Sequence, residues 1–241
     1  MKILAIGNSF SQDATRYLKQ IAASDGEKFK VVNLFIGGCP LRRHFANIMN
    51  DNRNYHMEYG GEGTGFYVSI KEALLSDEWD VVTLQQASPD SFKFETYQPY
   101  LGELADYVRK YAPKAKIYMH QTWSYEEGHG ALSRWGFKNQ AEMFAAVEDA
   151  YDKAAKDINA DGILKSGKVL QLLLQNGIEK VHRDGAHISL GAGRYATALL
   201  WYATLTKKDI ADNSFCDFDE LLAENEVKII KECVKKLTYN I

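Results

Sequence analysis

Met1-Lys2-Ile3-Leu4-Ala5-Ile6-Gly7-Asn8-Ser9-Phe10 is the stretch on which the reading of the fold turns. Ile3 to Ile6 is a short apolar run that stops at Gly7. A helical pattern follows at once, with Ala14, Tyr17, Leu18, Ile21 and Ala22 on one face. A buried strand that ends in glycine and passes straight into an amphipathic helix is the first half of a β–α–β unit. The run is too short for a secretory leader and lacks a small-residue cleavage site, so the chain as it stands reads as cytoplasmic, or as secreted if a leader has been removed.

The same alternation continues outward. Val31 to Ile36 reads as a second strand closed by Gly37-Gly38, Asp80 to Leu84 as a third, Lys116 to His120 as a fourth and Gly162 to Lys165 as a fifth. Between them lie helical stripes: Tyr97, Leu101, Leu104, Val108 and Tyr111, then Met143, Phe144, Val147, Tyr151, Ala154 and Ile158, the latter opened by a capping-box-like Asn139 and Glu142. Further helices are expected from Ser189 through Ala203 and from about Leu221 to Leu237. Short apolar strands alternating with amphipathic helices predict an α/β chain. The expected architecture is a three-layer α/β/α sandwich around a mostly five-stranded parallel sheet, in one domain over residues 1–241. Ligands in such sheets bind beyond the carboxyl ends of the strands. That rule singles out Gly7 to Ser9, Gly37 to Cys39, Gln85 to Ser88 and His120 to Trp123.

The bulk numbers exclude several function classes. With a formal charge of -3 there is no basic field for nucleic acid, and no apolar run approaches the length of a membrane span. The three cysteines, Cys39, Cys216 and Cys233, are odd in number and widely spaced, which fits reduced thiols rather than a disulfide framework. Two connections are long: Pro40 to about Phe66, with Tyr55, His56, Tyr59 and a glycine cluster, and Thr122 to Lys138, with Trp123, Tyr125, His129 and Trp135. Both leave strand ends on the expected binding side. Tyr55, His120, Trp123 and Tyr125 are therefore candidate substrate contacts.

Ser9 sits at a strand-to-helix turn, where serine serves either as an exposed nucleophile or simply as a helix cap. His187 follows Asp184 by three residues, ahead of the helix expected from Ser189. A serine hydroxyl needs a base that titrates near neutral pH, and imidazole suits that task. The imidazole in turn needs an acceptor on its other nitrogen. Asp184-Gly185 is equally a turn dipeptide. Gly162 to Lys168 imitates a phosphate-binding loop, but Val169 stands where a magnesium-binding Ser or Thr belongs, so a strand end followed by a helix start is the better reading. His182, Asp184 and His187 lack a nearby fourth ligand, so no metal is assigned.

Taken together, Gly7-Asn8-Ser9-Phe10, Ile36-Gly37-Gly38-Cys39, Leu84-Gln85-Gln86-Ala87-Ser88 and Asp184-Gly185-Ala186-His187 resemble the blocks of the SGNH/GDSL hydrolases, in an uncharacterised branch of that superfamily. The resemblance covers nearly the whole chain and implies a flavodoxin-like SGNH hydrolase fold. It implies Ser9 as nucleophile, His187 as base and Asp184 as its partner. It also implies an oxyanion hole of the Ser9 and Gly38 N–H groups. The wider family adds an asparagine side chain after its third strand. Here that position offers only Gln85 or Gln86, and alternation puts the two on opposite faces. The implied activity is cofactor-independent hydrolysis of an ester, first of all an O-acetyl or other short acyl group on a carbohydrate. The partner would be a small-molecule or glycan ester. A lysophospholipid ester, acyl transfer, and a non-catalytic carbohydrate-binding module on the same fold are the alternatives.

Overall fold

The computed structural model describes residues 1–239. Its parallel core is made of β1 (Lys2–Gly7), β2 (Lys30–Phe35), β5 (Val81–Leu84), β6 (Lys116–His120) and β7 (Gly162–Leu164), in the spatial order β2-β1-β5-β6-β7. These are the five strands expected from the apolar runs. Ile3, Leu4 and Ala5 of β1 are wholly buried, which is why the strand reads as a continuous apolar run rather than an alternating one. Helices cover both faces. On one side α9 (Ala192–Thr206) packs against α1 (Ser9–Thr15), α2 (Leu18–Ser24), α8 (Ser166–Gln175) and α10 (Glu224–Thr238). On the other, α5 (Tyr100–Tyr111) packs against α3 (Leu41–Met49) and α4 (Ile70–Leu75), while α7 (Gln140–Asp157) covers β6 and β7.

The connection from Pro40 to Phe66, expected as a loop, is folded. It contains α3 and then an antiparallel hairpin of β3 (Tyr55–Tyr59) and β4 (Glu62–Val68), which extends the sheet to seven strands beyond β2. The turn is Gly60-Gly61, with φ of 59° and 90°, a pair of left-handed positions that glycine adopts without strain. The hairpin escapes a pattern search because β4 is an edge strand with a mostly solvated surface and no alternation of burial. The Thr122–Lys138 connection holds only the short α6 (Gly130–Arg134).

Other boundaries shift for local reasons. The single helix expected through Ala22 breaks into α1 and α2 at Arg16-Tyr17, where Gly61 packs so close that a Cβ there would lie 2.4 Å from the Arg16 carbonyl oxygen. α9 begins three residues after Ser189, whose hydroxyl accepts the Gly193 N–H at 2.9 Å. α10 begins at Glu224 rather than near Leu221. The phosphate-loop imitation is a strand end and a helix start: β7 stops at Leu164, and Gly167 lies where a Cβ would meet the Thr122 carbonyl oxygen at 2.2 Å. The Gly167 and Lys168 N–H groups there are taken by the carbonyl and side chain of Gln121.

Candidate active site

The β1–α1 turn is held from three sides. Asn8 is extended (φ −145°, ψ −154°), and its Oδ1 accepts the Phe10 N–H at 2.9 Å, capping α1. The Asn8 amide orientation is forced by a relay. Burial pushes the His120 imidazole down to about 3, so the ring is neutral near pH 7. Its Nδ1–H donates to Gln85 Oε1 at 2.9 Å, and Gln85 Nε2 donates to Asn8 Oδ1 at 2.8 Å. The Asn8 Nδ2 group then donates to the Cys39 carbonyl at 3.3 Å, tying the turn to the segment after β2. Gly7 has no room for a side chain, since a Cβ would stand 2.4 Å from Ser11 Oγ and 2.7 Å from Gln85 Oε1. Ser9 opens α1 just beyond this frame.

His187 arrives on a small closed loop. His182 and Ile188 form an antiparallel bridge, and the Arg183 N–H donates to the His187 carbonyl at 2.9 Å. Inside the loop, Asp184 Oδ1 accepts the Ala186 and His187 N–H groups at 3.0 and 2.7 Å. Asp184 Oδ2 lies 2.8 Å from His187 Nδ1, and His187 Nε2 lies 2.9 Å from Ser9 Oγ. A carboxylate can only accept, so Nδ1 carries the proton and Nε2 is left to accept from the serine. The two readings of Asp184 are thus one: the turn it builds aims the imidazole it holds.

Partial burial pushes the Asp184 carboxyl up, but the His187 and Ala186 N–H bonds and the His187 side chain outweigh it and bring the group down to about 2. A depressed carboxylate contributes stability above its unfolded value, near 4, and loses it as pH falls towards 2. The stability difference between wild type and Asp184→Asn is therefore expected to be largest above pH 5 and to shrink between pH 4 and 2. Melting temperatures across that range check it, and a constant difference would refute it.

A second contact joins the two halves of the site. Asp13, one turn along α1 from Ser9, is wholly buried. Its oxygens take Arg183 Nη1 at 3.0 and 2.9 Å and Arg194 Nε at 2.8 Å. Arg194 continues to Asp219 at 2.6 Å, and Asp219 to Arg16 at 2.7 and 2.8 Å. Arg183 adjoins Asp184, so this pair latches the His187 loop to α1, the helix that opens with Ser9. Above it, Phe10 stacks on Trp123 at 4.0 Å and 6° and meets the His187 ring edge-on at 5.7 Å. Trp123 Nε1 donates to the Ala186 carbonyl at 2.9 Å. Asp13 was legible in principle: a carboxylate on the apolar stripe of Phe10, Ala14 and Tyr17 demands a cation. Nothing in the sequence identifies Arg183 as that cation.

Ser9 and His187 open onto a cavity of about 240 Å³ also lined by Asn8, Phe10, Gly38, Ser88, Pro89, Tyr125 and Ala186. Gly38 has φ 58°, and a Cβ there would point into open space, so the left-handed backbone is what calls for glycine. Among the described residues, neither the Ser9 nor the Gly38 N–H has a hydrogen-bond partner.

The glutamines expected as a third donor are engaged elsewhere. Gln85 belongs to the relay behind Asn8. Gln86 Oε1 accepts the Leu41 and Ala87 N–H groups, both at 2.9 Å, and its Nε2 donates to Thr96. Both side chains are buried and neither lines the cavity. Of the four expected substrate contacts, only Tyr125 lines it. Trp123 and His120 lie beneath the cleft as supports. Tyr55 is buried under α3, bonded to His44 at 2.7 Å and Asn47 at 3.1 Å. Aromatic composition gave no way to tell these buried rings from exposed ones.

The sequence profile of DUF4886, a domain of unknown function, matches residues 2–235. A crystal structure of a DUF4886 family protein from Bacteroides uniformis is 34% identical, with 100% of this chain and 95% of that one covered and a TM-score of 0.91. A proposed SGNH hydrolase from Slackia heliotrinireducens is 22% identical over 85% of this chain and 98% of its own, with a TM-score of 0.61. The esterase EstA from a Pseudoalteromonas species is 12% identical over 86% and 97%, with a TM-score of 0.53. No curated protein matches. The chain belongs to the DUF4886 family, and its fold is that of the SGNH hydrolases.

Proposed function

We propose that this protein is a serine esterase that hydrolyses short-acyl carboxylic esters without a cofactor. The reading rests on one observation: the unbroken hydrogen-bond chain from Asp184 through His187 to Ser9, opening onto a mostly apolar cavity beside two unengaged N–H groups. His187 Nε2 takes the Ser9 proton as Oγ bonds to the ester carbon, and the carbonyl π pair moves onto oxygen. That oxyanion meets the Ser9 and Gly38 N–H groups. Its collapse expels the alcohol, which leaves with the proton from His187. Water then repeats the sequence to free the acid and Ser9.

The cavity, at about 240 Å³, falls below the roughly 300–1,000 Å³ of sites for drug-sized ligands. That size favours acetyl and similarly short acyl groups over a lysophospholipid chain. The sugar half of the sequence expectation loses its support, because Tyr55, His120 and Trp123 show no face to the cleft. A binding module on this fold would have no use for a base seated on a serine hydroxyl. The test pairs turnover with labelling. The protein is expected to hydrolyse p-nitrophenyl acetate faster than the butyrate and octanoate esters, and to take up one equivalent of a small alkyl fluorophosphonate, located on Ser9 by peptide mass. No turnover of any chain length together with no label at Ser9 sinks the reading.

A further inference from the structure

With Gln85 and Gln86 turned away, the cavity needs another side-chain donor if the oxyanion is to be held from a third direction. The polar side chains lining it, apart from Ser9 and His187, are Asn8, Ser88 and Tyr125. Asn8 is locked by its cap, its relay and the Cys39 carbonyl. Ser88 Oγ and Tyr125 Oη are bonded to each other at 2.9 Å, and among the described residues neither has any other side-chain partner. Two hydroxyls that share one bond use one proton between them. The other is left over inside the cavity.

We propose that Ser88 donates the third hydrogen bond to the oxyanion, with Tyr125 as the positioning residue that donates to Ser88. The direction follows from acidity. A phenol is the stronger donor of the pair, so Tyr125 gives its proton to Ser88 Oγ, and the Ser88 proton is freed and polarised toward the cleft. The placement follows from topology. β1 carries Ser9, and its two neighbours in the sheet are β2, which leads to Gly38, and β5, which leads to Ser88.

The turn presenting Ser88 is built for rigidity. Asp90 N–H donates to the Ala87 carbonyl at 2.9 Å, and Ser91 Oγ donates to the Ser88 carbonyl at 3.0 Å. Gln86 holds the Ala87 and Leu41 N–H groups on one oxygen. It thereby fixes the Ser88 turn against the start of α3, three residues beyond Gly38. The glutamine expected as a donor acts instead as the strut between two donors.

The inference rests on the esterase reading, and the experiment separates the two. With p-nitrophenyl acetate, Ser88→Ala is expected to lower kcat on the order of 10²-fold while KM moves less than about threefold, since the lost bond exists only in the transition state. Tyr125→Phe keeps the ring and is expected to lose about tenfold or less, and Ser88→Thr, which keeps a hydroxyl, to recover most of the rate. A trifluoromethyl ketone that mimics the oxyanion adduct should bind Ser88→Ala weaker by the same factor as kcat/KM, a readout that loosened packing alone would not match. Unchanged kcat in Ser88→Ala, a larger loss in Tyr125→Phe than in Ser88→Ala, or a Ser88→Thr as slow as Ser88→Ala overturns the inference. If Ser9→Ala is inactive in those same assays, the esterase reading survives that failure. If wild type turns over no ester, that reading falls first.

Discussion

Ser9→Ala is expected to lower kcat for p-nitrophenyl acetate by about 10⁴-fold or more, and His187→Ala by a similar factor, with the double variant no slower than either alone. The reason lies in the single bond they share. His187 Nε2 sits 2.9 Å from Ser9 Oγ, and in the proposed mechanism neither group works without the other: an alcohol with no base is a poor nucleophile, and a base with no alcohol has no proton to take. Groups that act as one unit cannot be removed twice. The residual rate would come from the Ser9 and Gly38 N–H groups and from binding, which all three variants keep. Steady-state kinetics on the three proteins decides it. Losses that multiply in the double variant would mean that serine and imidazole act in separate steps, and the shared-bond mechanism would be wrong.

Asp13→Ala is expected to destabilise the protein by about 3–5 kcal/mol, because it removes the carboxylate and leaves two cations facing an uncompensated, largely dry site. The Asp13 side chain is wholly enclosed, and those of Arg183 and Arg194 are 28% and 14% exposed. For a chain of this length that corresponds to a fall in Tm on the order of 10 °C. The cost is that of breaking the pair, which is far larger than the pair's net worth against an apolar replacement. Activity should fall further than the folded fraction does, measured well below the melting transition. Arg183 is the residue before Asp184, and losing its anchor frees the loop that sets the distance from His187 to Ser9. Thermal melts and kcat at 20 °C test the two halves. A Tm shift under about 2 °C would show that the arginines find water or Asp219 without loss.

The legible part of this protein was its parallel core. β1, β2, β5, β6 and β7 each announced themselves as mostly apolar runs ending at glycine or at a polar turn, because strands buried on both faces favour apolar residues, with Asn33 and Thr83 as buried exceptions. The hairpin of β3 and β4 did not, since an edge strand in water obeys no such constraint. In the same way, Ser9 was marked by its place at a strand end and joined to Asp184 and His187 by the family resemblance, and the structure brings the three within hydrogen-bond reach, whereas the partners of Gln85 and Gln86 were not legible. Alternation says that two neighbours face opposite ways, but not which neighbour meets the cleft. In the fold neither does, because Asn8, Leu41 and Thr96 offer both amides better partners behind it.

Local patterning alone therefore placed the five core strands along the chain and marked the strand-to-helix turn at Ser9 and the turn dipeptide at Asp184-Gly185. These depend on groups within a few residues of one another, where chain connectivity does the placing. The pairing of Asp13 with Arg183, the burial of Tyr55, His120 and Trp123, and the presence of Ser88 and Tyr125 at the cleft came only with folding. Each joins segments far apart in the chain, and which of many chemically equivalent partners meet is decided by how the layers pack, a property no local window of residues contains.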